Sequence, residues 1–187
     1  MTMKKLSWLM ALLLPFVAPA HAALDVGEKA PDFTAPAALD GKQFEFSLDQ
    51  SLAKGPVVLY FFPATHTKGC NLEAHLFSQA ADDFKAQGAS VIGVTAGKTG
   101  ELAEFSRETE YCAGRFPVAA DPGAKIAKQY DTRLELAGVT VPGDLSGRTS
   151  YIIAPDGKII AGYTKLDPSD HVSQMLAALK DWRAKRR

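Results

Sequence analysis

Two thiols, Cys70 and Cys112, are the residues of this 187-residue chain best suited to chemistry, and they are its only cysteines. Cys70 follows the apolar run Val57-Val58-Leu59-Tyr60-Phe61-Phe62 and opens a stretch in which Leu72, Leu76, Phe77, Ala80, Ala81 and Phe84 recur at helical spacing as far as Gly88. A buried strand that feeds a helix places the thiol at the carboxyl edge of a sheet, where the unpaired N–H groups of the first turn also point. A free thiol, with a pKa of about 8.5, is only about 3% thiolate at neutral pH. Making most of it thiolate takes about 3.4 kcal/mol, whereas a helix N-terminus supplies about 0.3–1 and at best about 2 kcal/mol. The helix is therefore insufficient, and a fixed cation and a hydrogen-bond donor must complete the site. Thr67, three residues before the cysteine, offers a hydroxyl, and Arg148, at the mouth of a later strand, offers a guanidinium. Lys68 adds to the field but reads as solvated.

The elements that must hold these groups are legible in the pattern. Segments near Asp32 to Ala35 and Gln43 to Ser47 flank Asp40-Gly41, a strong turn signal, and read as an N-terminal hairpin. The Val57 to Phe62 run suits a central strand covered on both faces and ended by Pro63, and Ser90 to Thr95 reads as a second buried strand. Thr99 caps a helix carrying Leu102 and Phe105 that runs out near Tyr111 to Gly114, with Cys112 close to its end. Asp121-Pro122 opens another helix with Ile126, Ala127 and Tyr130 on one face. Thr149 to Ala154 and Lys158 to Tyr163 flank the turn Pro155-Asp156-Gly157, and Asp167-Pro168 opens a last helix carrying Val172, Met175, Leu176 and Leu179. This order predicts an α/β sandwich of thioredoxin type: a central mixed sheet flanked by helices, with an N-terminal β-hairpin extension.

Lys4 and Lys5, the apolar run Leu6 to Val17 and the small-x-small site Ala20-His21-Ala22 form the pattern of a cleaved secretory signal peptide over residues 1–22. The remainder, 165 of the 187 residues, suits one domain over 23–187. The whole chain has 21 basic and 21 acidic residues, and loss of Lys4 and Lys5 leaves a charge of about −2. That balance carries no nucleic-acid footprint, and nothing in residues 23–187 is apolar and long enough to enter a membrane. An exported chain meets an oxidising compartment, where Cys70 and Cys112 form one possible pair.

The segment Pro63-Ala64-Thr65-His66-Thr67-Lys68-Gly69-Cys70 resembles the Pro-x-x-x-Thr-x-x-Cys signature of peroxiredoxins. Glu73 and the run Gly147-Arg148-Thr149-Ser150-Tyr151-Ile152-Ile153 with Asp156-Gly157 are similar to the bacterioferritin-comigratory, or Q-type, group, and the likeness covers roughly residues 25–180. The resemblance implies that Cys70 is the peroxidatic cysteine, that Thr67 donates to a peroxide oxygen, that Pro63 shields the thiolate and that Arg148 stabilises thiolate and transition state. Glu73 orients Arg148 or simply suits a helix's first turn. It further implies a hydroperoxide substrate, a thioredoxin-like dithiol reductant, a periplasmic setting, a monomer or weak dimer, and no metal, haem or flavin cofactor. Two positions depart from the pattern. Lys68 stands where a proline is common, and His75 stands where many members carry the resolving cysteine. Cys112, at a location used by some members, is then read as the resolving cysteine that forms an intramolecular disulfide.

Other readings stay open from the residues alone. A lone disulfide in an exported protein is ordinarily a structural staple, and Cys70 with Cys112 could tie a non-enzymatic binding domain. A thiol-disulfide oxidoreductase would share the fold, but it needs a Cys-x-x-Cys pair, and Thr67 occupies the first of those positions. His66, Cys70 and His75, with Cys112 as a fourth ligand, do not have the spacing of a recognised metal site, and each histidine reads as a surface residue.

Overall fold

A computed structural model describes residues 23–97 and 99–186, so the signal-peptide segment 1–22 lies outside the described residues. The strand β3 (Val57–Ala64) organises the molecule. It pairs in parallel with β4 (Ser90–Gly97) on one side and antiparallel with β8 (Thr149–Ile153) on the other. Both faces of β3 are covered, which is why its sequence is a continuous apolar run rather than an alternating one. Val57, Leu59 and Phe61 enter one core layer with Leu48, Leu52, Ile126, Ala127 and Tyr130. Val58, Tyr60 and Phe62 enter the other with Cys70, Phe77, Phe84, Phe105, Cys112, Met175 and Leu179.

The full sheet has seven strands in the order β2-β1-β5-β4-β3-β8-β9. Its outer members are β1 (Thr34–Leu39) and β2 (Lys42–Ser47), joined at Asp40-Gly41 as the turn signal predicts, together with β5 (Val118–Ala120) and β9 (Ile159–Thr164). The helices are α1 (Leu48–Leu52), α2 (Lys68–Gln79), α3 (Ala81–Ala86), α4 (Leu102–Arg107), α5 (Lys125–Gln129) and α6 (His171–Ala184). Residues between α5 and β8 add a small hairpin of β6 (Glu135–Leu136) and β7 (Val139–Thr140). The architecture is the mixed sheet flanked by helices expected from the sequence. No helix among the described residues is long and apolar enough to cross a membrane.

Several boundaries differ from the sequence reading, each for a physical reason. Pro63 does not end β3, which continues to Ala64. The β8 pairing stops at Phe61, so the missing proline N–H faces no strand on that side, while Pro63 O still accepts from Thr95 Oγ1 at 3.3 Å. The helix expected from Cys70 to Gly88 starts earlier, at Lys68, and breaks at Ala80 into α2 and α3. The helix expected to reach Cys112 ends at Arg107, and Cys112 sits in turns beyond it. Ala124, not Asp121, takes the N-cap position of α5 and Pro122 stays in the preceding turn, but the Asp121 carboxylate still accepts from the Ile126 and Ala127 N–H groups at 2.9 Å each.

Candidate active site

Cys70 is the third residue of α2, directly beyond the carboxyl end of β3, and is 2% exposed. Thr67 takes the N-cap backbone conformation (φ −111°, ψ 146°) without capping the helix, and its exposed hydroxyl donates to Ala64 O at 3.3 Å. Because α2 begins at Lys68, Glu73 falls in its second turn and not its first. The three-residue spacing from Cys70 turns both side chains to one face of the helix. Glu73 is fully buried there, so the first-turn alternative for it does not apply.

Arg148 reaches this face from the residue preceding β8 and is 5% exposed. Each part of its guanidinium has a partner. Nε donates to Leu166 O at 2.8 Å, Nη1 forms a buried ion pair with Glu73 Oε2, and Nη2 donates to Cys70 Sγ at 3.5 Å. A fork held at two points presents its third at the sulfur with little freedom, which a lysine could not do. Gly69 makes room for it: a Cβ at that position would lie 3.1 Å from Arg148 Nη2. Sequence reasoning passed over Gly69, because its constraint comes from a side chain distant in the chain.

Burial would weaken the charge on Arg148, but Glu73 and Cys70 outweigh it and hold the guanidinium pKa above its usual value. Burial also pushes the Glu73 carboxyl up to about 8 against the opposing pull of Arg148. Beneath the site, Tyr60 stacks on Phe77 at 4.4 Å between ring centres, and its hydroxyl has no hydrogen-bond partner among the described residues.

Cys112 is fully buried in the same core layer as Cys70, and both thiols are free. Burial pushes the Cys112 thiol far above its ordinary value. The turn that carries it continues through two residues with left-handed backbone, Ala113 (φ 51°) and Gly114 (φ 65°). Alanine there is strained by about 1 kcal/mol. The loop before Cys70 is tied to this segment by His66. Its ring lies edge-on to Phe105 and Tyr111 at 5.5 and 5.4 Å, and its Nε2 is 3.5 Å from Glu101 Oε2, which also accepts from Thr65 Oγ1 at 3.3 Å. Among the described residues no group of histidine, cysteine and acidic side chains is arranged to hold a metal. Pro63 lies half-buried at the end of β3. A cleft of about 380 Å³ lined by Lys68, Leu72, His75, Glu110 and Tyr111 separates the outer face of α2 from the turn carrying Cys112.

Residues 26–161 match the AhpC/TSA family. The chain belongs to that family. Peroxiredoxin Q of Oryza sativa subsp. japonica, a chloroplastic protein, is 31% identical over 156 residues, which is 82% of this chain and 66% of the rice protein. The chloroplastic peroxiredoxin Q of Populus jackii is 30% identical over 161 residues, spanning 85% of this chain and 70% of the relative. The crystal structure of the peroxidoxin BcpB from Mycobacterium tuberculosis superposes with a TM-score of 0.71 at 27% identity, covering 83% of this chain and 96% of that one. The peroxiredoxin resemblance read from the Pro63 to Cys70 segment is thus borne out at the level of family and fold.

Proposed function

We propose that this peroxiredoxin is a thiol-dependent peroxidase whose nucleophile is the Cys70 thiolate. The observation that carries the reading is the Arg148 guanidinium, clamped by Glu73 and Leu166 with its free arm on Cys70 Sγ. The sulfur attacks the nearer oxygen of a hydroperoxide, forming an S–O bond as the O–O bond breaks. Negative charge develops on the departing oxygen, which takes a proton and leaves as water or an alcohol, while Cys70 becomes a sulfenic acid. Preorganised donors aimed at developing charge are what this step requires. Arg148 supplies one, and the Thr67 hydroxyl supplies a second by turning from Ala64 O to the peroxide. Pro63 shields the thiolate from water.

Cys112 resolves the sulfenic acid, its thiol expelling water as the disulfide to Cys70 forms. Buried as it is, Cys112 attacks only after its turn and the first turn of α2 open. The left-handed Ala113-Gly114 pair favours that opening. A thioredoxin-like dithiol protein in the periplasm or an equivalent exported compartment then returns both thiols by exchange. Residues 1–22 direct the export, and the folded unit is a monomer or weak dimer.

The test mixes reduced protein with one equivalent of hydrogen peroxide and maps thiols by mass spectrometry. A sulfenic acid at Cys70 followed by a Cys70–Cys112 disulfide is expected. Peroxide consumption by Cys70→Ser at the wild-type rate would end the reading.

A further inference from the structure

Behind Arg148 lies a set of buried polar groups that the chemistry above leaves unused. Glu73 Oε2 takes the ion pair, but Oε1 is buried with no hydrogen-bond partner, 3.6 Å from Nδ1 of His171. His171, the fully buried first residue of α6, is held through both ring nitrogens: Nε2 is 2.9 Å from Lys165 O and Nδ1 is 2.8 Å from Ser150 Oγ. A carbonyl can only accept, so Nε2 carries a proton, and in the neutral imidazole that burial favours Nδ1 is a lone pair. The Ser150 hydroxyl donates to that lone pair, and an ionised Oε1 opposite it faces an acceptor with no donor between them. A proton on Oε1 removes the conflict, because the carboxyl then donates to Nδ1 while the Ser150 hydroxyl turns away.

The charges point the same way. Arg148 faces two groups that can be anionic, Glu73 and Cys70. With Cys70 a neutral thiol, Arg148 and a Glu73 carboxylate cancel. With Cys70 a thiolate, a Glu73 carboxylate leaves the buried trio one negative charge in excess, and a neutral Glu73 leaves it balanced. We propose that His171 is a positioning residue whose Nδ1 holds a proton on Glu73 Oε1 while Cys70 is a thiolate, with the Ser150 hydroxyl competing for the same lone pair, so that the Arg148 charge serves the sulfur.

The step is a proton exchange with no electron transfer. The S–H bond of Cys70 breaks, an O–H bond forms at Glu73 Oε1 with the proton passing through solvent, and the buried charge stays at zero. When Cys70 becomes a neutral sulfenic acid, Glu73 alone faces Arg148 and releases its proton. Burial raises the Glu73 carboxyl and, with help from Arg148, lowers His171 to about 4, so the proton resides on oxygen rather than on the ring. The other groups facing the pair are Tyr60 from β3, Tyr163 from β9 (edge-on to His171 at 4.9 Å), and Lys165 and Asp170 from the segment before α6, while Asp167 of that segment acts on Arg148. Lys165 and Asp170 pair with each other at 2.6 Å, so their opposed effects on the ring largely offset.

The inference rests on Cys70 being the reactive thiolate, and its test reads the carboxyl directly. Infrared spectra of the reduced protein at neutral pH should contain a protonated-carboxyl C=O band that disappears in Glu73→Gln and moves in frequency in Ser150→Ala and His171→Asn. In Cys112→Ser, which stops at the sulfenic acid, one equivalent of peroxide should abolish the band. If Glu73→Gln does not fold, carbon-isotope labelling of the glutamate side chains assigns the band in the wild type. Absence of the band in the reduced protein, or a band indifferent to both Ser150→Ala and His171→Asn, overturns the proposal. Neither result touches the peroxidase reading, which is judged by turnover in Cys70→Ser.

Discussion

Replacement of Arg148 by lysine is the sharpest test of how the site works, because it keeps the charge and removes the fork. Arg148 uses separate nitrogens for Leu166 O, Glu73 Oε2 and Cys70 Sγ. A lysine ammonium is a single point on a flexible stem and cannot hold Leu166 O, Glu73 Oε2 and Cys70 Sγ at once. Cys70 then loses a hydrogen bond from a charged donor, an interaction that contributes about 1.5–3 kcal/mol. At about 1.36 kcal/mol per factor of ten, peroxide attack should slow about 10- to 150-fold. The assay is single-turnover trapping of the Cys70 sulfenic acid after rapid mixing with peroxide, at several peroxide concentrations, so that the second-order constant is read apart from recycling. Stability needs a separate control. Arg148→Met takes from the buried Glu73 carboxyl its hydrogen-bond partner and should cost about 1–3 kcal/mol. The double variant Glu73→Met/Arg148→Met should recover much of that loss, yet stay as slow as Arg148→Met. A rate for Arg148→Lys within about twofold of wild type, under 0.5 kcal/mol, would refute the idea that geometry as well as charge activates Cys70.

Other outcomes follow from the same geometry. Cys112→Ser should form sulfenic acid at the wild-type rate in the first turnover but recycle poorly with a dithiol reductant, as followed by steady-state peroxide consumption. Gly69→Ala places a methyl 3.1 Å from Arg148 Nη2 and should slow attack several-fold while leaving the circular dichroism spectrum unchanged. Glu73 binds its proton more tightly folded than unfolded, so its contribution to stability is complete below about 4.5 and is lost as pH rises through about 8. His171, lowered from 6.5 to about 4, has the opposite sign, and its contribution is present above 6.5 and lost as pH falls toward 4. Urea unfolding across this range should therefore show an alkaline decline in the wild type that is absent in Glu73→Gln, and a decline in both would count against a raised carboxyl.

The parts of this structure written locally were legible in the sequence. Asp40-Gly41 makes its hairpin, and the run Val57 to Phe62 is buried on both faces as its lack of alternation requires. What escaped depends on neighbours. Pro63 stays in β3 only because β8 has already stopped, and β5, three residues long, carries too short a pattern to read. Starting α2 two residues before Cys70 moved Glu73 from a terminus, where any acid is welcome, into the interior, where it needs Arg148. Cys70, Thr67 and Arg148 were found from the chemistry of a thiol after a strand, whereas His171 and Ser150 look in sequence like a helix-start histidine and a strand serine. Their meaning arises only when β8 and α6 meet α2.

The ties made by His66 give oxidation an unexpected mechanical sign. A disulfide is ordinarily a rivet that tightens the fold it joins. Here the reduced chain already has its rivet in the packing of His66 on Phe105 and Tyr111 beside Glu101, bridging the loops that lead to the two cysteines. The proposed disulfide between Cys70 and Cys112, both buried, would require the turns that carry them to open and that packing to part. The oxidised protein would then be the looser of the two forms, with backbone amides around residues 66–70 and 108–114 exchanging faster, and the reductant would meet a substrate already ajar.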